Sequence, residues 1–513
     1  MTQTGTVYLL GAGPGDPELI TARALRRLKE ADVVLYDALV HPDLLAHAAP
    51  TAECVFVGKR AGRPSERQAR IQKRMLDAAL AGKTVARLKG GDPFLFGRGS
   101  EEMEFLRDAG VPVEVVPGVP SPMAASAYAG ITLTHRARSS SVTYLTATES
   151  VEKDRSSHDW ARLATGSQTL VIFMGMRKLP TLMQLLIENG RSADTPAAVV
   201  QWASLPRQQT VVATVGTVAE KARDAGLGLP ALTIVGDVVG LREAMRWYDR
   251  LPLFGKRVLV TRPAHQSEGF ARMLRDQGAE AVCLPAIRIL APDDPSRLER
   301  AVRDARTYRW VVFTSTNGVS RFFGEVARQG QDARALGNAR VAAIGPATRQ
   351  ALEAHGIRAD VMPDEFRGES AADAVLADDP DIAGHKVLLP RAQVARMALP
   401  ERLAAAGADV DVVPAYRTAF MLEADAGRLR DQLFAHQLDV LTFTSPSTVH
   451  SVAEALGEHE AVLHSGPTIA CIGPITAAAA TERGWPVHVT PQDYTAAGLT
   501  SALATRYRQE SPA

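Results

Sequence analysis

Residues 87–99 read RLKGGDPFLFGRG, and the first half of the chain is best understood outward from them. Val85 to Leu88 is an apolar strand running straight into two glycines, an aspartate and a proline. Gly90 and Gly91 carry no Cβ, so their backbone can lie close to a ligand. Asp92 can accept hydrogen bonds, and Pro93 ends the strand because it has no N–H for a ladder. Phe94, Leu95 and Phe96 set an apolar wall beside this polar loop, and Ser100 and Glu101 suit the start of a helix. By itself a GGD turn is also an ordinary loop between two elements.

Strands and helices alternate on either side. Val7–Leu10 enters Gly11-Ala12-Gly13-Pro14-Gly15-Asp16; Asp16 followed by Pro17 predicts a helix with Leu19, Ala22, Leu25 and Leu28 on its buried face. Val33–Tyr36 ends at Asp37, and Cys54–Val57 ends at Gly58-Lys59-Arg60. A polar helix over about 66–81 precedes the central strand, and Val113–Val116 and a helix over 122–129 follow it. This is an α/β pattern with a largely parallel sheet. The first glycine loop is spaced G-x-G-x-G with a proline inside, which departs from the G-x-G-x-x-G of dinucleotide binding, although Asp37 stands where a ribose-binding acid would. A second α/β unit over about 140–240 has strands at Thr169–Met174, Ala197–Trp202, Thr210–Val215 and Ala231–Val235, with Thr217 capping a short helix. Trp247 to Gly255 is a connector containing Pro252 and Gly255, after which the pattern restarts at Lys256.

The second half is internally duplicated. KRVLVTRP (256–263) is similar to HKVLLPRA (385–392), and Arg262 and Arg391 stand at the same 129-residue spacing as Pro285 and Pro414. VVFTSTNGV (311–319) is similar to VLTFTSPSTV (440–449), and VAAIGPATRQAL (341–352) to IACIGPITAAAA (469–480). So long a period predicts two similar α/β lobes facing a cleft rather than a solenoid. Each lobe brings Thr-Ser to a strand end (Thr314-Ser315 and Thr444-Ser445) and opens a helix with Ile-Gly-Pro-x-Thr (Gly345 to Thr348 and Gly473 to Thr476). Such hydroxyls and helix N-termini suit carboxylates, or simply cap helices.

Composition bounds the partners. A chain of 513 residues needs more than one core. The net charge of +1 gives no field for nucleic acid or an acidic membrane surface. No apolar run has membrane-spanning length and the N-terminus lacks a signal-peptide shape, so a cytoplasmic location is expected. Cys54, Cys283 and Cys471 each sit in an apolar run and are expected to be buried thiols, with no spacing that suggests a disulfide or metal site.

With these motifs assembled, the first half, over about residues 5–248, resembles the uroporphyrinogen-III C-methyltransferases of the tetrapyrrole methylase family. VYLLGAGPGDPELIT, ADVVLYDALV, VFVGKRAG, RLKGGDPFLFGRG, VVPGV, AYAGITLTHR, QTLVIFMG and PALTIVG occur in the family's order. The second half, over about 255–507, resembles the uroporphyrinogen-III synthases through its paired lobes. The resemblance implies an α/β chain: a two-lobed tetrapyrrole methylase fold, then a two-lobed, internally duplicated synthase fold. It implies a methyltransferase over 1–248 (lobes of about 1–138 and 139–248) and a linker at 249–255. The synthase would span 256–513, with one lobe from about 256–288 plus 418–508 and the other from about 289–417. The activity implied is bifunctional. Hydroxymethylbilane, a linear tetrapyrrole with eight carboxylates, would be closed to uroporphyrinogen III with inversion of ring D. Two methyl groups from S-adenosylmethionine would then give precorrin-2, for sirohaem or cobalamin, with S-adenosylhomocysteine as by-product and no metal.

The same resemblance assigns residues. Pro14, Gly90, Gly91, Asp92, Leu95, Met174 and the Pro120-Ser121 pair would contact the donor, with Ala203 and Ala231 supplying backbone. Asp37 is the family's proposed base and Lys59 its proposed acid; a helix cap or ion pair, and a carboxylate clamp, are the plainer roles. Arg60, Arg98, His135 and Arg136 would bind substrate carboxylates or be ordinary surface charges. Tyr416, in the Y-x-T segment, would give a proton to the departing hydroxyl or be a core tyrosine with a satisfied hydroxyl. Thr314, Ser315, Thr444, Ser445 and Thr476 would steer carboxylates. A homodimer through the methylase half is implied. The chain departs from the family at Pro120-Ser121 (commonly Thr-Ala), at Thr146-Ala147-Thr148 (commonly Thr-Gly-His), at Gln201-Trp202-Ala203 (commonly Glu-x-Gly) and in the ARSSS after LTHR. Two other readings stay open: a methylase of a different tetrapyrrole, and a tetrapyrrole-sensing or scaffold protein with one catalytically inactive half. No helix-turn-helix extension or basic tail supports a regulator. No NAD-type loop is evident, so the chain is expected to stop at precorrin-2.

Overall fold

The structure is a computed structural model that describes residues 4–58, 68–148, 158–365 and 367–510. It divides into two compact units, 1–257 with 274–280 and 504–513, and 258–273 with 281–503.

The first sheet of the first unit contains β1 (Val7–Gly11), β2 (Val33–Tyr36), β3 (Glu53–Phe56), β4 (Val85–Lys89) and β5 (Val113–Val116). Their order is β3-β2-β4-β1-β5 and every pairing is parallel. Alternate residues of a strand face opposite sides. Val7, Leu9, Val33, Leu35 and Val85 pack with Met75 and Leu106 on one face, and Leu10, Val34, Ala86 and Leu88 with Ala24, Leu28 and Leu44 on the other. Covering both faces is what an all-parallel sheet requires. Parity then puts Arg87 and Lys89 on the side of Val85, beneath the helices Gln68–Leu80 and Gly99–Asp108.

Two expectations need correction here. Asp16 caps only a single turn, Pro17–Leu19, and the helix proper is Ala22–Lys29, capped by Thr21 Oγ1 accepting from the Ala24 N–H at 3.3 Å. The break resets the helical phase, so Ala24 and Leu28 are buried while Ala22 is exposed. Of the cysteines only Cys471 is buried, which pushes its thiol up to about 12. Cys54 and Cys283 are exposed because their strands form sheet edges.

A second sheet in this unit contains β6 (Val142–Thr146), β7 (Thr169–Phe173), β8 (Pro196–Gln201), β9 (Gln209–Thr214) and β10 (Ala231–Val235) in the order β6-β7-β10-β8-β9. Only β6 and β7 pair in parallel; the remaining pairings are antiparallel.

The second half contains β11 (Arg257–Val260), β12 (Glu280–Cys283), β13 (Ile287–Leu290), β14 (Trp310–Phe313), β15 (Arg340–Ala343), β16 (Lys386–Ala392), β17 (Asp409–Phe420), β18 (Val440–Phe443) and β19 (Thr468–Cys471). They form two sheets, β12-β11-β18-β19 and β13-β17-β16-β14-β15. Matching the repeats strand for strand, β12-β11-β18-β19 corresponds to β17-β16-β14-β15. The first part of each repeat therefore pairs with the last part of the other. Even the isolated bridges match, Ala342 to Val361 and Ala470 to Val489. Among the described residues no helix is long and apolar enough to cross a membrane.

Candidate functional site

Because β1, β4 and β5 are neighbours with parallel chains, their exits lie together, as expected for a site at the carboxyl edge of a parallel sheet. Three loops interlock there. The Gly91 N–H donates to the Gly13 carbonyl (2.6 Å), the Gly13 N–H to the Gly91 carbonyl (3.3 Å), and the Ala12 N–H to the Lys89 carbonyl (2.8 Å). A Cβ on Gly118 would lie 2.2 Å from the Gly91 oxygen, and one on Gly11 would lie 2.4 Å from the Gly118 Cα. Asp92 joins the loops: Oδ1 accepts from the Phe94 N–H (2.8 Å) and Oδ2 from the Gly118 N–H (3.0 Å). The glycines thus serve partly to bring backbone against backbone. Gly90 belongs to that packing, since its Cβ would meet the Leu39 Cβ at 2.9 Å. Gly91 differs: its φ is +69°, and the nearest atoms to a Cβ are the Ser121 nitrogen and Pro120 Cα at 3.8 and 3.9 Å.

The second sheet supplies the opposite wall. Its antiparallel pairings bring Phe173, Leu232 and Val200 into line, so Met174, Ala231 and Ala203 come to one edge. Leu95 and Ala203 pack against the cluster containing Phe173, Val200 and Leu232, and the Phe96 ring sits 4.7 Å from that of Phe173. Polar ties fix the two sheets. The Asp16 N–H donates to Ser204 Oγ (3.1 Å), Tyr128 Oη to Asp16 Oδ2 (2.9 Å), and Gln208 Nε2 to the Tyr128 carbonyl (3.1 Å). Burial, then the Asp16 carboxylate, raise the Tyr128 hydroxyl above its ordinary range. Backbone strain gathers on these loops. Of the six non-glycine residues with positive φ among the described residues, five are Phe96, Arg98, Met174, Trp202 and Ser204. A left-handed non-glycine residue costs about 1–2 kcal/mol, and such strain collects where a site holds a required shape.

Beneath the loops runs a buried charge network. Arg87 Nη2 donates to Asp37 Oδ1 (2.6 Å) and Arg87 Nε to Glu102 Oε1 (3.3 Å). Lys89 Nζ donates to Glu102 Oε2 (3.0 Å) and Gln68 Nε2 to Glu102 Oε1 (2.9 Å). Glu102 is fully buried. Burial, reinforced by the Arg87 charge, lowers the Lys89 ammonium below its ordinary value. Sequence reasoning overlooked Arg87, Lys89 and Glu102 as a set. The signal was two charges alternating with Ala86 and Leu88 in a strand that is buried throughout.

In the second half, Ser315 caps the helix Thr316–Arg328 by accepting from the Gly318 N–H (3.0 Å), and its Oγ lies 3.0 Å from Tyr416 Oη. Thr314 precedes it at the end of β14. Tyr416 is 7% exposed. The matching Ser445 precedes the helix Pro446–Leu456, with its Oγ 2.9 Å from Ser447 Oγ, and follows Thr444. Thr476 and its counterpart Thr348 are both buried in first helical turns.

Residues 6–219 match the family described as tetrapyrrole (corrin/porphyrin) methylases, and residues 268–501 match uroporphyrinogen-III synthase HemD. A porphyrin biosynthesis protein HemD of Ruminiclostridium josui is 38% identical over 476 residues, 93% of either chain. The chain belongs to the tetrapyrrole methylases fused to a uroporphyrinogen-III synthase. A uroporphyrinogen-III C-methyltransferase of Bacillus subtilis is 42% identical over 245 residues, which is 48% of this chain and 95% of that one. A solved structure of uroporphyrin-III C-methyl transferase from Thermus thermophilus, described as complexed with S-adenyl homocysteine, is 43% identical. It covers 46% of this chain and 100% of its own, with a TM-score of 0.40. The chain is accordingly a bifunctional enzyme of tetrapyrrole biosynthesis.

Within the methylase half, Gly91 lies beside Pro120 and Ser121, Asp92 ties its loop to Gly118, and Pro14 follows the Gly13 that pairs with Gly91, while Leu95 and Ala203 pack on the second sheet, whose edge carries Met174 and Ala231. Asp37 is paired with Arg87, the ion pair that was its plainer role. Arg98 is engaged by Glu101, Nη2 to Oε2 at 2.7 Å, one turn along its own helix. His135 Nδ1 accepts from the Ala137 N–H (3.2 Å) within a tight turn, and Arg136 beside it is exposed. Lys59 and Arg60 lie outside the described residues.

Proposed function

We propose that the synthase half closes hydroxymethylbilane to uroporphyrinogen III and that the methylase half then methylates that product twice, giving precorrin-2 for sirohaem or cobalamin. The methylase would be 1–248 and the synthase 256–513, joined by 249–255. The observation that carries the methylase reading is the interlocked glycine cradle opposite the strained Met174 edge. Leu39, Phe94, Phe96 and Met174 remain exposed around it, an apolar rim beside backbone polar groups. That mixture fits S-adenosylmethionine, with its thioether chain and adenosine. When bound, the donor supplies the electrophilic methyl.

The chain's own part is orientation, because in-line attack by a ring carbon needs both partners held in place. Gly91, Asp92, Pro14 and the Pro120-Ser121 pair would hold the donor from the first sheet, with Gly90 bracing the loop. Leu95, Met174, Ala203 and Ala231 would hold it from the second. Asp37, fixed by Arg87, would accept the proton leaving the methylated ring, and Lys59 would act as acid. Arg60, Arg98, His135 and Arg136 would receive substrate carboxylates, Arg98 by exchanging its Glu101 partner. In the synthase half Tyr416 would protonate the departing hydroxyl, while Thr314, Ser315, Thr444, Ser445 and Thr476 steer carboxylates. A cytoplasmic homodimer through the methylase half completes the proposal.

A coupled assay tests it. Given hydroxymethylbilane and S-adenosylmethionine, the full chain should yield dimethylated type III product. Type I macrocycle alone would remove the synthase reading, and unmethylated type III would remove the methylase reading.

A further inference from the structure

Arg262 and Arg391 close the matching segments of the two repeats, VLVTRP and VLLPRA, and the roles above use neither. β11 and β16, which deliver them, hold equivalent places in the two sheets. Arg391 is 6% exposed. Its Nη2 donates to the Arg396 carbonyl (2.5 Å), and its Nη1 is buried with no hydrogen-bond partner among the described residues. Arg262 Nη2 donates to Gln266 Oε1 (3.1 Å), and its Nε is likewise buried without a partner among the described residues.

Burying a guanidinium without a counter-ion is costly. Arg87 and Arg242, both buried, avoid that cost by facing Asp37 and Asp249. Here burial disfavours the charged form at both positions, and among the described residues no carboxylate offsets it at either. Among the described residues neither guanidinium meets a carboxylate, and the two stand at repeat-related positions.

Both converge on one place. Gln266, held by Arg262, donates through Nε2 to Asn317 Oδ1 (3.1 Å) in the first turn of the helix Thr316–Arg328. Tyr416, beside Arg391, meets Ser315 at the cap of that same helix. A Cβ on Gly318 would lie 2.7 Å from the Pro390 oxygen, so the residue preceding Arg391 abuts this turn as well. The N-terminus of a thirteen-residue helix adds its own preference for negative charge.

We propose that Arg262 and Arg391 are a matched pair of carboxylate-binding residues, one from each repeat, that grip two acid side chains of the linear tetrapyrrole on either side of Ser315 and Tyr416. The inference rests on the synthase reading. A bidentate carboxylate satisfies the orphaned guanidinium nitrogens. Two grips on separate side chains also restrain the flexible chain in one arrangement for closure.

The test uses the full chain with Arg262→Met, Arg391→Met and Arg391→Lys. The probes are uroporphyrin III, an octacarboxylate read by fluorescence, and hydroxymethylbilane turnover. Each Met variant should weaken uroporphyrin III binding and raise KM by about tenfold or more, the scale of a lost charged hydrogen bond, and Arg391→Lys should recover part of the loss. Removing an unpaired buried charge should leave the melting temperature of Arg391→Met unchanged or raised. A purely structural arginine behaves in the opposite way, and a lowered melting temperature with unchanged binding would overturn the proposal. If Arg391→Met does not fold, that also counts against it, and Arg262→Met then decides the other member of the pair. A wild-type chain that neither binds uroporphyrin III nor converts hydroxymethylbilane removes the synthase reading itself, and this inference with it.

Discussion

Arg87 Nη2 and Asp37 Oδ1 are 2.6 Å apart, and the arginine is almost wholly buried while the aspartate keeps partial access to solvent. A guanidinium beneath a half-open carboxylate fixes its direction. Asp37→Asn keeps the hydrogen bond to Arg87 but removes the basic oxygen. It should lower methyl transfer by about 10²-fold or more, the usual range for a general base, with S-adenosylhomocysteine affinity unchanged. Single-turnover rates beside calorimetric titration check both halves of that statement. An equal fall in affinity would instead assign Asp37 to donor binding.

Lys89 gives a pH signature in stability. Its folded value is lowered, chiefly by burial and then by Arg87, from an ordinary 10.5. Between those two values the unfolded chain holds more protons than the folded one, so stability rises with pH across that interval. Urea unfolding of the wild type should show this rise, and Lys89→Met should flatten it. Glu102→Gln should behave differently. It leaves Arg87 and Lys89 without their shared carboxylate, and breaking a buried pair of this kind costs about 3–5 kcal/mol.

Met174 tests whether backbone strain is tied to the donor. It holds φ at +53° and is 46% exposed, so glycine there relieves strain while giving up the buried half of the side chain. The two terms are each about 1–2 kcal/mol, so Met174→Gly should leave stability within about 1 kcal/mol of the wild type. It should weaken S-adenosylhomocysteine binding, because the apolar contact is gone. Denaturant midpoints and a binding titration on one preparation measure the two effects, and the binding alone should fall markedly.

Much of the architecture was legible in local pattern, and what was missed is mostly non-local. The parallel first sheet follows from apolar strands alternating with helices, and the duplication from a spacing near 129 kept by Arg262, Pro285 and Val311 with their partners. The exchange of strands between repeats is not written in either repeat alone, since β11 pairs with β18 rather than with β14. Asp16 looked like the cap of a full helix, and Thr21 took that role because the chain breaks after Leu19. At the site, the glycines were legible as a loop. That Gly11 and Gly118 leave room for each other's backbone required the sheet order. Arg87 and Lys89 were visible as charges in a buried strand, but their partner Glu102 sits on the following helix, and only parity and packing bring the three together.

Tyr416 and Ser315 separate structure from chemistry in the synthase half. Ser315 Oγ accepts the capping Gly318 N–H and also meets Tyr416 Oη, so the phenol is attached to a helix terminus while its ring lies in the core. Tyr416→Phe keeps the ring and removes one hydrogen bond, which should cost about 1 kcal/mol of stability. Ser315→Ala removes the cap as well and should cost about 1–2 kcal/mol. If Tyr416 protonates the leaving hydroxyl, Tyr416→Phe should lower kcat for hydroxymethylbilane closure by about 10²-fold with little change in KM. Ser315→Ala, the more destabilising change, should retain most of kcat. A rate that follows stability across the two variants would make Tyr416 a core tyrosine with a satisfied hydroxyl.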